Sequence, residues 1–111
     1  MATPFPIHPN LKEGFAPVNM ECDVYDMVVE GEIPQALRGT FYRNGPNPQF
    51  APRGDYHWFG GDGMIHAFHL ADGKASYKNR WVRTKKWQLE HEAGRSLFSA
   101  FNPMDSDESV M

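Results

Sequence analysis

Residues 56–70 read YHWFGGDGMIHAFHL, and this stretch decides the predicted fold. The aromatic run at residues 56–59 and the run at residues 64–70 are typical of strands, and GGDG between them is typical of a turn. ADGK at residues 71–74 predicts a second turn, and residues 75–84 follow it as a third, longer strand. The sequence therefore predicts a three-stranded antiparallel meander.

Four-residue loops would set the register of this meander. Phe68 is then predicted to face Tyr77, and His66 to face both His57 and Asn79. One face of the sheet would be mostly apolar but would include paired imidazoles.

Outside the meander the sequence predicts short elements and an arm. Residues 1–23 contain four prolines, which disrupt helices and sheet ladders, so we expect an extended arm. Residues 24–31 and 40–43 are predicted strands, PQALRG at residues 34–39 is a predicted helical turn, and KKWQLEHEAG predicts a helix ending near Gly94. The predicted fold class is mainly β, an antiparallel meander with an extended amino-terminal arm and short helical segments.

Composition limits the class of protein. The 111 residues suffice for one domain at most, and the net charge of −3 argues against a nucleic-acid partner. Cys22 is the single cysteine, so no intrachain disulfide can form. The amino terminus lacks the features of a signal peptide, and no apolar run approaches the roughly 20 residues of a membrane helix. These observations predict a cytoplasmic protein, and the polar end at residues 102–111 suggests a chain cut short.

The histidines raise the hypothesis of a metal site. His57 and His66 would face each other across the hairpin, and Asp62 in the turn could reach one imidazole. However, His69 would lie on the opposite face, and a stable site needs three or four protein ligands. Hydrogen-bonded structural histidines are the favoured interpretation, and a small histidine-based metal-binding protein is the less favoured one.

GGDG and RNGPNP both expose main-chain N–H groups and so raise the hypothesis of a phosphate cradle. Neither leads into a helix that begins with Lys-Ser or Lys-Thr, as a P-loop requires. Tight turns with positive φ explain Gly60, Gly61 and Gly63 more simply. No serine lies in a nucleophile elbow. Composition and spacing alone therefore indicate a turn-rich β fragment without an identifiable active site.

Four segments, taken in order, resemble one family. They are GFAPV (14–18), VVEGEIPQALRGTFYRNGPNPQF (28–50), residues 56–70 and YKNRWVRTKKW (77–87). Together they resemble the amino-terminal region of the carotenoid oxygenases, which are carotenoid and lignostilbene cleavage dioxygenases. Gly60 stands where this family often has aspartate. The matching motif residues are Arg43, Asn44, Gly45, Pro46, His57, Asp62, Gly63 and His66.

The resemblance implies a seven-bladed β-propeller with a non-haem Fe(II) held by four histidines. The iron would activate O₂ to split a C=C bond in a hydrophobic polyene or stilbene. Residues 24–111 would be the first, incomplete part of this propeller. The family's iron ligands lie in later blades, beyond Met111, so we expect no catalytic residue, metal ligand or cofactor in this chain.

The same resemblance leads to expectations for the substrate and for other partners. Phe98 and Phe101 are expected to line a hydrophobic tunnel toward the iron. The parent enzyme is expected to bind a polyene or stilbene, and peripheral membrane contact is left open. The fragment alone is expected to be inactive and to self-associate. An inactive truncated member, acting as a small binding or structural module, is the main alternative.

Overall fold

A computed structural model of the chain describes residues 3–99 and 103–110. In the described residues, 3-10 turns span Pro9–Leu11 and Glu13–Phe15 before the first strand, Trp58–Gly60 between two strands, and Pro103–Asp105 and Glu108–Val110 after the helix. The strands are β1 (Asp23–Val24), β2 (Gly39–Pro46), β3 (Gly63–Ala71) and β4 (Lys74–Trp81), and the helix is α1 (Lys85–Ala93). The sheet is antiparallel where β4 pairs with β1 and β3, which confirms the predicted mainly-β class.

The hairpin of β3 and β4 has the predicted register. Phe68 pairs with Tyr77 and His66 pairs with Asn79. The hairpin turns at Asp72 and Gly73, whose φ angles are 55° and 73°. Two consecutive positive φ angles are typical of the two-residue hairpin turn that Asp-Gly favours, because its twist matches that of the strands. The ADGK prediction is therefore confirmed.

The predicted strand at residues 56–59 is wrong. His57 is instead the N-cap of the 3-10 turn Trp58–Gly60, and its Nδ1 accepts a hydrogen bond from the Phe59 N–H at 3.0 Å. The Gly60 N–H also donates to the His57 carbonyl at 2.8 Å. These local bonds outweigh the strand preference of aromatic residues. The sheet order is β1-β4-β3-β2, so β2 takes the place beside β3 that was predicted for residues 56–59.

The strand predicted at residues 24–31 is also mostly wrong, because β1 contains only Asp23 and Val24. Next to it, the Cys22 N–H donates to Oδ1 of Asn79 at 2.6 Å, and the Asn79 N–H donates back to the Cys22 carbonyl. The segment PQALRG forms a single turn, closed by a bond from the Leu37 N–H to the Pro34 carbonyl. The strand at residues 40–43 is confirmed within the longer β2.

Helix α1 is confirmed, and its two ends follow from the sequence. Thr84 is the N-cap, and its hydroxyl accepts a hydrogen bond from the Trp87 N–H at 3.1 Å. Gly94 ends the helix in the left-handed conformation, with φ of 72°, and its N–H donates to the Glu90 carbonyl. Such a residue is usually glycine because it has no Cβ to clash. No helix in the described part of the chain is long and apolar enough to span a bilayer.

The chain divides into two compact units. The sheet unit comprises residues 20–45 and 64–81, and it buries Met64 and Asn79. The helix unit comprises residues 3–19, 46–63, 82–99 and 103–110. The buried side chains of the helix unit are Leu11, Asn47, Pro48, Tyr56, Asp62, Trp87, Glu90 and Leu97. Three of these eight are amide or carboxylate side chains, which need hydrogen-bond partners when buried.

Candidate functional site

The end of the RNGPNP motif and the GGDG motif meet in the helix unit. The Asn47 N–H from RNGPNP donates to the Asp62 carbonyl at 2.7 Å. The Gln49 N–H donates to Oδ2 of Asp62 at 3.0 Å. Asp62 comes from GGDG and is only 8% exposed. The Asp62 residue thus fixes the path of the loop that follows β2.

Asn47 also holds the amino-terminal segment at Val18. The Val18 N–H donates to Oδ1 of Asn47 at 2.7 Å, and the Asn47 amide donates to the Val18 carbonyl at 2.8 Å. These two bonds satisfy both main-chain groups of Val18, as a strand partner would. Two further hydrogen bonds hold the chain nearer its amino terminus, Asn10 Nδ2 to the Tyr56 carbonyl and His8 Nε2 to Asp55.

Asp62, Lys86 and Glu90 form an acid–lysine cluster. Lys86 Nζ lies 3.0 Å from Oδ1 of Asp62 and 2.8 Å from Oε1 of Glu90, one turn further along α1. Burial lowers the pKa of Lys86, but the two carboxylates outweigh it, so the net pKa lies above its usual value. The two carboxylates therefore keep Lys86 charged.

Glu90 connects α1 to the irregular segment that follows it. Oε2 of Glu90 accepts hydrogen bonds from the Leu97 N–H at 2.8 Å and the Phe98 N–H at 3.1 Å. The Ser96 hydroxyl donates to the same oxygen at 3.4 Å. Glu90 is 1% exposed, so these bonds form away from water, where an unpaired N–H is costly.

Gly61 and Tyr56 pack against each other beside Asp62. A Cβ at Gly61 would lie 2.5 Å from the Tyr56 hydroxyl and 2.7 Å from Cβ of Pro46. Positive φ was expected at Gly60, Gly61 and Gly63, and this expectation is wrong, because none of the three is among the glycines with positive φ. Gly61 is required for close approach. Burial, and to a smaller extent the Asp62 charge, raise the pKa of Tyr56 to about 12.

Tyr56 leads to a prediction for stability at high pH. Its folded pKa of about 12 exceeds the ordinary 10.0, so the folded state favours the neutral phenol. The resulting stabilisation is complete below pH 10 and is lost as pH rises toward 12, by at most about 3 kcal/mol. Unfolding of the protein, followed between pH 9 and 12, should show a smaller loss of stability in Tyr56→Phe than in the wild type. An equal loss in both proteins would contradict this assignment.

The five histidines each have a partner other than a metal. The pKa of His66 is lowered, mainly by burial and also by the Arg43 charge. Among residues 3–99 and 103–110, no group of three or more His, Cys, Asp or Glu side chains could hold a metal ion. The histidine partners are Asp55 for His8, the Phe59 N–H for His57, Tyr77 for His66, Thr40 for His69 and Gln49 for His91.

A small crevice borders the acid–lysine cluster. Its volume is about 20 Å³, which is room for one water and not for an organic substrate. Phe98, Glu90, Lys86 and Asp62 all contribute to its wall. Phe98 is half-buried there, and Phe101 lies outside the described residues, so the predicted tunnel remains a prediction.

The other motif residues take different positions in the structure. Arg43 and Asn44 are exposed on β2, and the Arg43 guanidinium packs over Gly45, where an added Cβ would lie 3.0 Å from Nη1. His57 and His66 do not face each other, because His57 caps a 3-10 turn and His66 lies on β3. Sequence reasoning missed Asn47, Gln49, Lys86 and Glu90. The four-residue spacing of Lys86 and Glu90 on a predicted helix was an available signal.

Comparison with known proteins identifies the family. Residues 15–110 match the family described as retinal pigment epithelial membrane protein. A lignostilbene-α,β-dioxygenase isozyme III from Sphingomonas paucimobilis is 48% identical over 96 residues, covering 85% of this chain and 20% of the relative. A carotenoid 9,10(9′,10′)-cleavage dioxygenase 1 from Phaseolus vulgaris is 47% identical over 91 residues, covering 82% of this chain and 17% of the relative.

The fold is likewise similar to a solved structure. The Pseudomonas brassicacearum lignostilbene dioxygenase superposes with a TM-score of 0.87 at 36% identity, over 96% of this chain and 23% of that one. The chain belongs to the retinal pigment epithelial membrane protein family, that is, to the carotenoid oxygenases. It spans about a fifth of the length of these relatives. The antiparallel sheet with one helix fits a part of the propeller that the sequence resemblance implied.

Proposed function

We propose that this chain is the amino-terminal part of a non-haem Fe(II) dioxygenase that cleaves a C=C bond with O₂. The substrate would be a carotenoid, an apocarotenoid or a stilbene. The observation that carries the proposal is the match to a lignostilbene dioxygenase over 96% of the chain. A second lignostilbene dioxygenase at 48% identity and a carotenoid cleavage dioxygenase at 47% identity support the stilbene and carotenoid classes equally.

The described residues do not fit an iron site, because their histidines are engaged in hydrogen bonds and no ligand group is assembled. We therefore place the iron ligands in other parts of the parent enzyme. In this proposal residues 1–23 form the arm and residues 24–111 the first part of a seven-bladed propeller. The acid–lysine cluster and Asn47 would hold the arm, the motif loops and α1 together. Phe98 and Phe101 would line the substrate tunnel.

The exposed side chains of strand β2 support the proposal that the sheet is incomplete and packs on further blades of the parent enzyme. Phe41 and Tyr42 are 63% and 68% exposed. Adjacent side chains of a strand point to opposite faces, so β2 carries exposed aromatic surface on both sides. Propeller blades bury such faces by stacking on their neighbours. A chain without those neighbours would be expected to self-associate.

The proposal predicts activity in the parent enzyme and none in the 111-residue chain. Iron content and O₂-dependent cleavage of a hydroxylated stilbene and of an apocarotenal would be measured for both proteins. We expect iron and cleavage products with the parent enzyme only. A parent enzyme that binds iron and cleaves neither substrate would contradict the proposed reaction.

The same measurement tests the two alternative functions. Stoichiometric iron in the 111-residue chain, lost in both His57→Ala and His66→Ala, would indicate a small histidine-based metal-binding protein. A single sharp, folded species without iron in size-exclusion chromatography would favour a stable binding or structural module. Aggregation or partial unfolding of the short chain is the result that the fragment proposal expects.

A further inference from the structure

We infer that Glu90 is a positioning residue that sets substrate selectivity through Phe98. This inference rests on the proposed function, in which Phe98 lines the path of the substrate. Glu90 itself contacts no substrate in this view. It fixes the main chain from which the Phe98 side chain projects.

The Glu90 carboxylate is not needed to end α1. Thr84 caps the amino-terminal end, and Gly94 closes the carboxyl-terminal end through the Glu90 main-chain carbonyl. The carboxylate is therefore available for other bonds. Its Oε2 accepts from the Leu97 and Phe98 N–H groups outside the helix, and its Oε1 accepts from Lys86 within the helix.

Residues 95–99 have no helical or strand bonds to define their path. Two consecutive N–H groups of this segment converge on one carboxylate oxygen that is shielded from water. Hydrogen bonds to a charged acceptor are roughly twice as strong as neutral ones. Lys86 and Asp62 in turn fix the orientation of that carboxylate. The position of Phe98 is thereby coupled to a rigid helix.

Glutamine at position 90 would have the same size and would break this arrangement. Its one oxygen can face the N–H groups of Leu97 and Phe98 or face Lys86, but not both. The amide NH₂ would then oppose another donor in either orientation. Glu90→Gln should therefore shift the segment without removing buried volume, whereas Glu92→Gln changes an exposed glutamate of the same helix and serves as the matched control.

The test is steady-state kinetics of the parent enzyme with a hydroxylated stilbene and an apocarotenal. We expect Glu90→Gln to change the ratio of the two KM values about tenfold, the scale of a small misfit in an apolar pocket. Iron content should stay unchanged. Phe98→Leu should change the ratio in the same direction, and the double variant should show no further change, because both substitutions act on one side chain. Glu92→Gln should leave the ratio unaltered.

An unchanged ratio in folded Glu90→Gln, or additive effects in the double variant, would overturn the inference. If Glu90→Gln does not fold, Glu90→Asp keeps the charge for Lys86 and draws the carboxylate back from Leu97 and Phe98, so the same shift is expected. Hydrogen exchange of the amides at positions 97 and 98 separates a failure of the proposed function from a failure of the positioning role of Glu90. A wild type that cleaves neither substrate would refute the proposed function, and exchange that Glu90→Gln does not accelerate would refute the positioning role.

Discussion

Replacing Asp62 with asparagine is expected to lower the free energy of local opening by about 2–3 kcal/mol for the loops that contain RNGPNP and GGDG. Asp62 is buried, and its two carboxylate oxygens are used by different donors, the Gln49 N–H and Lys86 Nζ. Asparagine keeps the shape but offers one oxygen, so its NH₂ group must oppose one of these donors. Lys86 is about one-third exposed, and partial solvation keeps the cost below that of a fully buried pair.

Hydrogen exchange in the parent protein measures this effect directly. The Gln49 amide should exchange roughly 30- to 150-fold faster in Asp62→Asn, which is the stated free energy converted at 1.4 kcal/mol per factor of ten. Asp26→Asn changes an exposed aspartate of the sheet unit and should leave the Gln49 amide unaffected. If the Gln49 amide of Asp62→Asn exchanged at the wild-type rate, the hydrogen bond from the Gln49 N–H to Asp62 would not be what holds the loop.

The elements that sequence reasoning found correctly are those whose signals are local. The β3–β4 hairpin follows from alternation along two strands and from the Asp72-Gly73 turn between them. Helix α1 follows from a threonine cap and a terminal glycine, Thr84 and Gly94. In each case the residues that specify the element lie within it or beside it, so no distant partner has to be known.

The incorrect predictions depend on competition between local bonds. Residues 56–59 have the aromatic composition of a strand, but His57 supplies an acceptor for the Phe59 N–H and the segment turns. Residues 25–31 were expected to extend β1, yet β1 pairs with β4 only at Asp23 and Val24. Strand propensity describes how well a side chain fits a pleated surface, and it does not supply the missing partner strand.

The candidate site was missed because its bonds join distant residues. Asn47 bonds to Val18 across 29 positions, and Asp62 bonds to Lys86 across 24 positions. The motifs RNGPNP and GGDG were recognised from the sequence as turn segments and as parts of a family signature. What they do became apparent only in three dimensions, where Asn47 and Asp62 are buried polar anchors.

Gly61→Ala is expected to destabilise the helix unit by about 2–3 kcal/mol, the usual cost of forcing extra atoms into a packed interior. The new Cβ would lie 2.5 Å from the Tyr56 hydroxyl and 2.7 Å from Cβ of Pro46. The φ of Gly61 is −72°, which suits alanine, so the whole effect comes from atomic overlap and not from backbone strain. A lowered thermal midpoint of the parent protein carrying Gly61→Ala would show this destabilisation.

Two companion variants make this test specific. Gly14→Ala adds a Cβ that meets no atom within 4 Å, so its thermal midpoint should stay close to that of the wild type. Tyr56→Phe combined with Gly61→Ala removes the nearest clashing atom and should recover part of the loss, while Pro46 still opposes the methyl group. No recovery in the double variant would mean that Tyr56 is not what requires glycine at position 61. Partial recovery would show that Tyr56 requires glycine at position 61, the second glycine of GGDG, for close packing.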